Sequence, residues 1–286
     1  MTAIAERERA VGDGARRVLG QTGERYRRRA RRDRLIVTGG ILGLGVALLL
    51  FWEFALEHIV NPRYVSSPSE VVQALGDQLE TGQLWTNIEA TMKAAGLGYL
   101  IGIGVGLAGA FLLLATRRGY EVLEPFLLAF YSIPKIALAP LFIMWFGLAL
   151  TPKILLAALM VFFIVFMNTV AGVRAVDRGL IDVARVLGAR RLELIRKILI
   201  PAAAPSIMAA IRVTFARAMV GTILAEFIAS TAGLGYMIVR AARQFDIATV
   251  FAGVVVIAAL VMLVNAAIRF AEARLFPWAS GQVTAA

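Results

Sequence analysis

The chain alternates six long apolar runs with shorter polar segments. Each run has about twenty residues, the length that an α-helix needs to cross roughly 30 Å of hydrocarbon. The pattern therefore predicts an all-α polytopic membrane protein with about six transmembrane helices. The predicted spans are residues 35–56, 94–116, 125–150, 154–173, 206–230 and 247–268.

The third predicted span is interrupted by Pro134, Lys135 and Pro140. Proline removes a backbone donor, and a lysine at mid-depth opposes insertion by roughly 3 kcal/mol. Broken helices persist in membranes only where protein or a water-filled cavity surrounds them. We therefore expect this segment to face the interior of the bundle, with Lys135 as a candidate residue of a translocation pathway.

The fifth predicted span contains Arg212, Arg217 and Glu226. At mid-depth the three charges oppose insertion by roughly 8 kcal/mol, more than the roughly 3–5 kcal/mol that its apolar residues contribute. We expect Arg212 near an interface and the other two turned inward, with Glu226 hydrogen-bonded within a dimer or gate. A structural role for Glu226 near the outer interface is an equal alternative. Asn168, in the fourth span, can hydrogen-bond to a neighbouring helix and completes the candidate pathway or gate residues.

The second predicted span carries a glycine stripe. Gly98, Gly102 and Gly106 recur every four residues and therefore lie on one face of the helix. Small residues at this spacing allow close packing of membrane helices. We expect the stripe to be a packing surface rather than a hinge.

Composition and charge placement support membrane insertion. Hydrophobic residues make up 59% of the 286 residues and charged residues 17%, and the mean hydropathy is +0.77. The net charge of +11 lies before and between the apolar runs, which favours cytoplasmic loops over nucleic-acid binding. Both termini and residues 174–200 are predicted to be cytoplasmic, and residues 59–86 and 231–246 to face outward. The basic arm, residues 1–34, is expected to contact anionic lipid.

The sequence lacks the motifs of most catalytic sites. There is no cysteine, His58 is the single histidine, and neither a G-x-x-x-x-G-K-[ST] loop nor an H-E-x-x-H motif occurs. The chain is therefore not expected to be an enzyme, to bind a metal or to bind ATP in the Walker manner. Energy for active transport must come from another subunit or from an ion gradient.

The second basic block contains the sequence DVARVLGARRLELIRKILIP, residues 182–201. It resembles the signature of the membrane-spanning subunits of ATP-binding-cassette (ABC) importers, which reads E-A-A, three residues, Gly, nine residues and I-x-L-P. A glycine permits a close turn between two short helices, and a proline can begin the next span. The residues at the signature positions are Asp182, Val183, Ala184, Gly188, Ile198, Ile200 and Pro201, of which Asp182, Val183 and Ile200 are conservative departures.

The resemblance covers roughly residues 52–278. The segments SIPKIALAPLFIMWFG (132–147) and AEFIASTAGLGYMI (225–238) resemble the branch that imports alkanesulfonates, taurine or nitrate. It implies the type I ABC importer permease fold, in a bacterial inner membrane. The implied organisation is a cytoplasmic arm at 1–34, a permease domain at 35–278 with a coupling loop near 178–201, and a tail at 279–286.

The resemblance also implies partners. Cytoplasmic ABC ATPase subunits would bind ATP and magnesium, so this chain itself is expected to hold no cofactor. An external solute-binding protein would deliver the solute, and two permease copies would pair, with homodimer and heterodimer both left open. In this family the loop around the signature glycine docks in a groove of the ATPase. The expected coupling residues are Asp182, Ala184, Gly188, Ile198 and Pro201.

The main alternative is an ion-coupled secondary transporter with Lys135, Arg217 and Glu226 as relay residues. Such transporters carry broken helices in matching positions of two halves, and only one broken span is found here. A membrane-embedded enzyme is disfavoured by the lack of a catalytic cluster. Because Lys135, Arg212 and Arg217 outnumber Glu226 near the spans, we expect a small anionic solute, most simply a sulfonate.

Overall fold

The computed structural model describes residues 36–54, 61, 64–114 and 119–275. Within these ranges the regular secondary structure is helical, without a β-strand. The basic arm, His58 and the tail at 279–286 lie outside them. The helices are α1 (Ile36–Phe54), α2 (Pro68–Glu80), α3 (Gln83–Leu114), α4 (Gly119–Ser132), α5 (Ala139–Phe146), α6 (Leu150–Arg174), α7 (Arg178–Val186), α8 (Arg191–Leu194), α9 (Ile200–Ile228), α10 (Leu234–Arg243) and α11 (Ile247–Leu275).

The long helices match the predicted architecture. In the described ranges, α1, α3, α6, α11 and the continuous helical segment Ile195–Ile228 are long and apolar enough to cross a membrane. The pair α4 and α5, bent by 79°, is a sixth candidate span. The bend follows Pro134, where the backbone is extended and a 3₁₀ turn, Lys135–Leu138, begins. An all-α protein with five or six spans is thus confirmed.

Two helices begin earlier than hydropathy predicts. α3 starts at Gln83 rather than at residue 94, and the fifth span starts at Ile195 rather than at residue 206. Both extensions contain polar residues, such as Glu89 and Lys93 in α3. Hydropathy identifies only the part of a helix suited to hydrocarbon, whereas the backbone hydrogen bonds continue beyond it.

The first structural unit ends at Ser69 and contains α1. The indole Nε1 of Trp52 donates a hydrogen bond to the carbonyl oxygen of Ser66 at 2.8 Å. The carboxylate of Glu53 accepts from the backbone N–H and the hydroxyl of Ser69, at 3.1 and 2.7 Å. These contacts hold the segment before α2 against the end of α1.

In the second unit, α3, α6 and α9 form the packed centre. The glycine stripe of α3 faces α6: a Cβ added at Gly98 would lie 2.5 Å from Cβ of Ala157, and one at Gly102 would lie 2.6 Å from Cβ of Val161. A Cβ at Gly106 would lie 3.1 Å from a backbone oxygen of α6. The distances at Gly98 and Gly102 exclude a side chain and the distance at Gly106 leaves little room for one, so glycine at these positions allows the two backbones to approach closely.

An aromatic pair joins α3 to α9. The rings of Tyr99 and Phe215 meet edge to face with centroids 5.4 Å apart. The Tyr99 hydroxyl donates to the carbonyl oxygen of Ile211 at 2.9 Å, so its polar end is satisfied inside the apolar core. The buried residues of this core are Ala95, Tyr99, Ala157, Val161, Val165, Phe215, Ala218 and Met219.

The broken third span differs from expectation in its surroundings. No residue of α4 is buried, and in α5 only Ala139 is. This segment therefore lies on the surface of the single chain rather than in the interior of its bundle. Proline and lysine in a span require surrounding protein or water, but that surrounding need not come from the same subunit.

Candidate functional site

The first candidate site is the turn that contains the importer-like signature. α7 begins where the Asp177 carboxylate accepts a hydrogen bond from the N–H of Gly179 at 2.8 Å, an N-cap. α7 ends at Val186, and Gly188 follows with φ +81°. α8 and a π-helical stretch, Ile195–Leu199, then lead into α9.

The turn at Gly188 has two hydrogen bonds that end α7. The N–H of Gly188 donates to the carbonyl of Arg185 at 3.0 Å, and the N–H of Ala189 donates to the carbonyl of Ala184 at 3.0 Å. Together with the positive φ these bonds define a Schellman motif, in which a Cβ costs about 1 kcal/mol or more. A Cβ at Gly188 would meet no described atom within 4 Å. Within this chain the requirement for glycine is therefore conformational rather than steric.

The loop presents an apolar surface outside the spans. Ala184 and Leu194 are buried, one from each flanking helix. Asp182 and Arg185, 3.5 Å apart, are both exposed. Exposed apolar side chains this large, grouped on a short helix, mark a contact surface for another molecule. They are Leu180, Val183, Val186 and Leu187, with exposed fractions from 50% to 88%.

Local polar contacts fix the second half of the loop. The Glu193 carboxylate accepts from the Arg190 N–H and from the Lys197 ammonium, both at 3.0 Å, and these contacts lower the pKa of Glu193 below its usual range. Ile198 lies in the π-helical stretch. Pro201 occupies the first turn of α9, where a missing N–H is tolerated.

The second candidate site is a buried polar cluster at the other end of α9, which we call the Glu226 network: Asn87, Thr91, Lys153, Glu226 and the backbone of 232–235. Glu226 is 2% exposed. Its carboxylate accepts from the Thr91 hydroxyl at 3.0 Å and from the N–H of Gly235 at 2.9 Å. The Lys153 ammonium lies 3.6 Å from Oε1. A buried carboxylate is thereby paired and hydrogen-bonded, as burial requires.

This network caps α10 with side chains from other helices. The N–H groups of Gly233 and Leu234 donate to Asn87 Oδ1 at 2.9 Å and to Thr91 Oγ1 at 2.8 Å. The first N–H groups of a helix have no partner in the helix itself, and a carboxylate is favoured at that end. Asn87, Thr91 and Glu226 thus hold the segment between α9 and α10 in place.

The glycines of the GLG sequence are required by the same network. Gly233 has φ +125°, and a Cβ there would lie 2.1 Å from Glu226 Oε1. A Cβ at Gly235 would lie 2.8 Å from Cβ of Glu226. The backbone can approach the carboxylate closely only because these positions carry no side chain.

The sequence did not indicate that Lys153, Asn87 and Thr91 belong to the Glu226 network. Lys153 lies in the first turn of α6, just before the apolar run predicted to start at residue 154, and it is 7% exposed. Its ammonium also donates to the carbonyl of Ala232 at 2.9 Å. A lysine beside an apolar run normally indicates an interface, so no sequence signal separates it from a solvated residue. In the described chain the partners of Glu226 are Thr91, Gly235 and Lys153 of the same subunit, and its role in a dimer or gate stays a prediction.

Arg212 is neutralised within the subunit. Its guanidinium makes a bidentate pair with the carboxylate of Glu272 in α11, with a closest distance of 2.5 Å. In the sequence Arg212 is one of the three basic residues that outnumber Glu226 near the spans. Its charge is compensated by Glu272, which comes from a distant part of the chain.

The remaining pathway candidates do not converge on Glu226. Lys135 is half-buried: its ammonium donates to the carbonyl of Tyr131 and lies 4.5 Å and 4.9 Å from the ring centroids of Tyr131 and Phe163. Asn168 is exposed and donates to Ile164 in its own helix at 2.8 Å. Arg217 is exposed on α9 of the single subunit, so its inward orientation in an assembled pair stays a prediction. No group of three or more His, Asp or Glu residues in the described chain could hold a metal.

Residues 75–278 match the family described as "Binding-protein-dependent transport system inner membrane component". The chain is 33% identical to the aliphatic sulfonates transport permease protein SsuC of Bacillus subtilis, over 89% of this chain and 92% of that protein. It is 34% identical to the taurine transport system permease protein TauC of Escherichia coli, over 85% and 90%. It is also 34% identical to the riboflavin transport system permease protein RibX of Chloroflexus aurantiacus, over 83% and 90%.

The fold also matches a solved transporter. A crystal structure of a bacterial ABC transporter involved in the import of alginate covers 86% of this chain and 99% of its own, with a TM-score of 0.57 and 16% identity. At that identity the likeness concerns the fold alone.

Proposed function

Since the chain belongs to the family of binding-protein-dependent transport system inner membrane components, we propose that it forms the membrane pathway for a small organic anion delivered by an external binding protein. The chain is a permease subunit of an ATP-driven ABC importer and not an enzyme. The relatives reported above are importer permeases, and none is an ion-coupled secondary transporter. ATP and magnesium would bind to a partner ATPase chain.

The turn at Gly188 is the observation that carries this proposal. It presents exposed Leu180, Val183 and Leu187 beside a rigidly defined Schellman turn, at the signature spacing. Apolar side chains of this size need a partner surface in the assembled protein. We assign that surface to the cytoplasmic ATPase, with Asp182, Ala184, Gly188, Ile198 and Pro201 as the coupling residues.

This assignment sets the orientation. Residues 178–199 and both termini would lie in the cytoplasm of a bacterial inner membrane, and the segment between α9 and α10 would lie outside, since α9 runs from one to the other. The permease domain would cover residues 35–278, with the arm at 1–34 beside anionic lipid and the tail at 279–286. No nucleic-acid partner is proposed, because the positive charge lies before and between the spans, as in cytoplasmic loops of membrane proteins.

A second permease copy would complete the pathway. α4 and α5 expose large apolar side chains. A single subunit leaves these side chains, and the bend that contains Lys135, uncovered. Asn168 and Arg217 are also exposed on the subunit. We propose that a pair of permeases, most simply a homodimer, encloses these residues, so that Lys135, Asn168 and Arg217 line the pathway between the copies. Glu226 then acts from within each subunit, by holding the segment before α10.

The solute class rests on the relatives and on positive side chains without an ion pair among the described residues. Two of the relatives are named for sulfonates and taurine, and the third for riboflavin. With Arg212 paired to Glu272, Lys135 and Arg217 remain as candidate positive groups of the pathway, and positive lining favours anions. We therefore propose a small sulfonate-like anion.

Reconstitution in proteoliposomes tests the proposal. The permease, the ATPase encoded beside it and the neighbouring binding protein should together accumulate labelled taurine or an alkanesulfonate when ATP is supplied. Uptake should stop when the ATPase is omitted. Uptake driven by an ion gradient without the ATPase would overturn the ABC assignment, and ATP-dependent uptake of riboflavin but not of sulfonates would overturn only the solute class.

A further inference from the structure

A polar face of α10 borders two neighbouring cavities. The first has a volume of about 310 Å³ and the second about 240 Å³. Both are lined by Tyr236, Arg240 and Gln244, which recur every four residues and therefore form one stripe along the helix. The opposite face of α10, with Leu234, Met237 and Ile238, is buried. One face of α10 thus packs against the protein, and the opposite face lines the two cavities.

The larger cavity carries an excess of positive charge. Arg240 and Arg243 both line it, three residues apart on α10, and both are exposed. Neither takes part in an ion pair within 4.0 Å in the described part of the chain. Glu226 also lines this cavity, but its carboxylate is already satisfied by Thr91, Gly235 and Lys153. Like charges at this spacing repel each other, and a bound anion would relieve the repulsion.

The same cavity has a neutral donor and an apolar wall. Tyr236 provides a hydroxyl group, and Phe227 and Val239 provide apolar surface. A volume of about 310 Å³ is at the lower end of the range for ligand pockets, roughly 300–1,000 Å³. The combination of two guanidinium groups, a tyrosine hydroxyl and an apolar wall suits an anion with a short alkyl tail better than a bare inorganic ion.

We propose that the larger cavity beside α10 is an entry site for an organic anion, held by Arg240 and Arg243 with its alkyl part against Phe227 and Val239. The position of the site on the outer side rests on the proposed function. The Glu226 network positions the site, because it fixes the start of the helix that carries both arginines. The phosphate of a lipid headgroup presents the same chemistry, and the experiment separates it from a free solute.

Chemical protection tests occupancy without requiring transport. The complete transporter in nanodiscs is treated with phenylglyoxal, and modification of individual arginines is read by mass spectrometry. Butanesulfonate should protect Arg240 and Arg243 severalfold, and more strongly than sulfate at equal ionic strength. Neutral butyl methyl sulfone should not protect them, and Arg269 on α11, exposed and remote in sequence, should react equally in all samples.

Equal reactivity of Arg240 and Arg243 with butanesulfonate and with the neutral sulfone would overturn the inference. The inference would also be overturned if Arg240 and Arg243 were fully protected in phosphatidylglycerol nanodiscs before butanesulfonate is added, and if this protection were lost in detergent. A lipid headgroup would then occupy the cavity.

Uptake provides the second readout and separates the two proposals. A double variant, Arg240→Gln with Arg243→Gln, should raise the KM for alkanesulfonate uptake by about tenfold or more, since both charged hydrogen bonds to the anion are lost. The basal ATPase rate and the Arg269→Gln control should stay at wild-type values. Wild-type KM in the double variant would reject the site while leaving the importer function intact. Protection without any sulfonate uptake would support the site and reject the proposed solute.

Discussion

Lys153 and Glu226 form an ion pair across α6 and α9, with Nζ 3.6 Å from Oε1 and side chains only 9% and 0% exposed. The attraction between two buried charges is largely offset by the loss of their hydration, so the pair itself contributes little net stability. Removing one partner has a much larger effect, because the other charge stays buried without compensation.

Lys153→Met should therefore destabilise the purified permease by about 3–5 kcal/mol. Combining it with Glu226→Gln should restore much of that loss, because no uncompensated charge remains while Thr91 and Gly235 keep their acceptor. Thermal unfolding in detergent, followed by intrinsic fluorescence, measures both variants. A double variant that is less stable than Lys153→Met would show that the pair has little part in the stability of the fold.

The glycine stripe allows a matched pair of variants in one helix. Gly102→Ala places a Cβ 2.6 Å from Val161 and should destabilise by about 1–3 kcal/mol, as overpacked cores do. Gly104→Ala meets nothing within 4 Å and should be neutral or stabilise by up to about 1 kcal/mol, because alanine favours the helix. The measurement is the Tm of each variant. Equal Tm values for Gly102→Ala and Gly104→Ala would mean that the close contact between α3 and α6 does not stabilise the protein.

Much of this packing follows from the sequence, but the Glu226 network does not. The spacing of Gly98, Gly102 and Gly106 predicts a close helix contact, because periodicity along one helix is local information. Thr91 and Glu226 are 135 residues apart in sequence. Their contact depends on which helices pack side by side, and hydropathy contains no such information. For the same reason Arg212 looked uncompensated until α11 brought Glu272 beside it.

Arg212 and Arg217, both on α9, should separate stability from transport. Arg212→Ala leaves the Glu272 carboxylate, 10% exposed, without its partner and should lower stability by about 1–3 kcal/mol. Arg217→Gln removes an exposed charge and should leave Tm within about 2 °C of wild type while reducing solute uptake. Thermal unfolding and uptake are measured in parallel on both variants. Normal uptake by Arg217→Gln would remove Arg217 from the proposed pathway.

Gly188→Leu should reach the membrane but fail to couple to the ATPase. The left-handed backbone opposes any Cβ by about 1 kcal/mol or more, and a bulky side chain changes the surface that we assign to the ATPase contact. Gly82→Leu is the matched control, because Gly82 has φ +71° and equally open surroundings but lies between α2 and α3.

The measurements for Gly188→Leu are co-purification of the ATPase and solute-stimulated ATP hydrolysis. Asp182→Lys should show a milder loss, since it reverses a charge on the same surface. Wild-type values in Gly188→Leu, or an equal loss in Gly82→Leu, would exclude the loop as the specific coupling element.

Introduced cysteines test the orientation, because the chain has no native cysteine. In intact cells an impermeant maleimide should label Thr231→Cys, in the segment between α9 and α10, and should not label Arg191→Cys at the start of α8. Both should be labelled in permeabilised cells, which confirms that each is reactive. Labelling of Arg191→Cys from outside would invert the proposed topology.

The continuous helix Ile195–Ile228 has a mechanical consequence. Its 34 residues extend about 50 Å at 1.5 Å per residue, so one continuous helical segment has the Schellman turn near its first end and the carboxylate of Glu226 near its last turn. A rod held by close packing along its middle transmits a push at one end chiefly as tilt or rotation at the other. A displacement of an ångström imposed at the loop would then reach the start of α10 through this one helical segment, and the arginines of α10 would move with it.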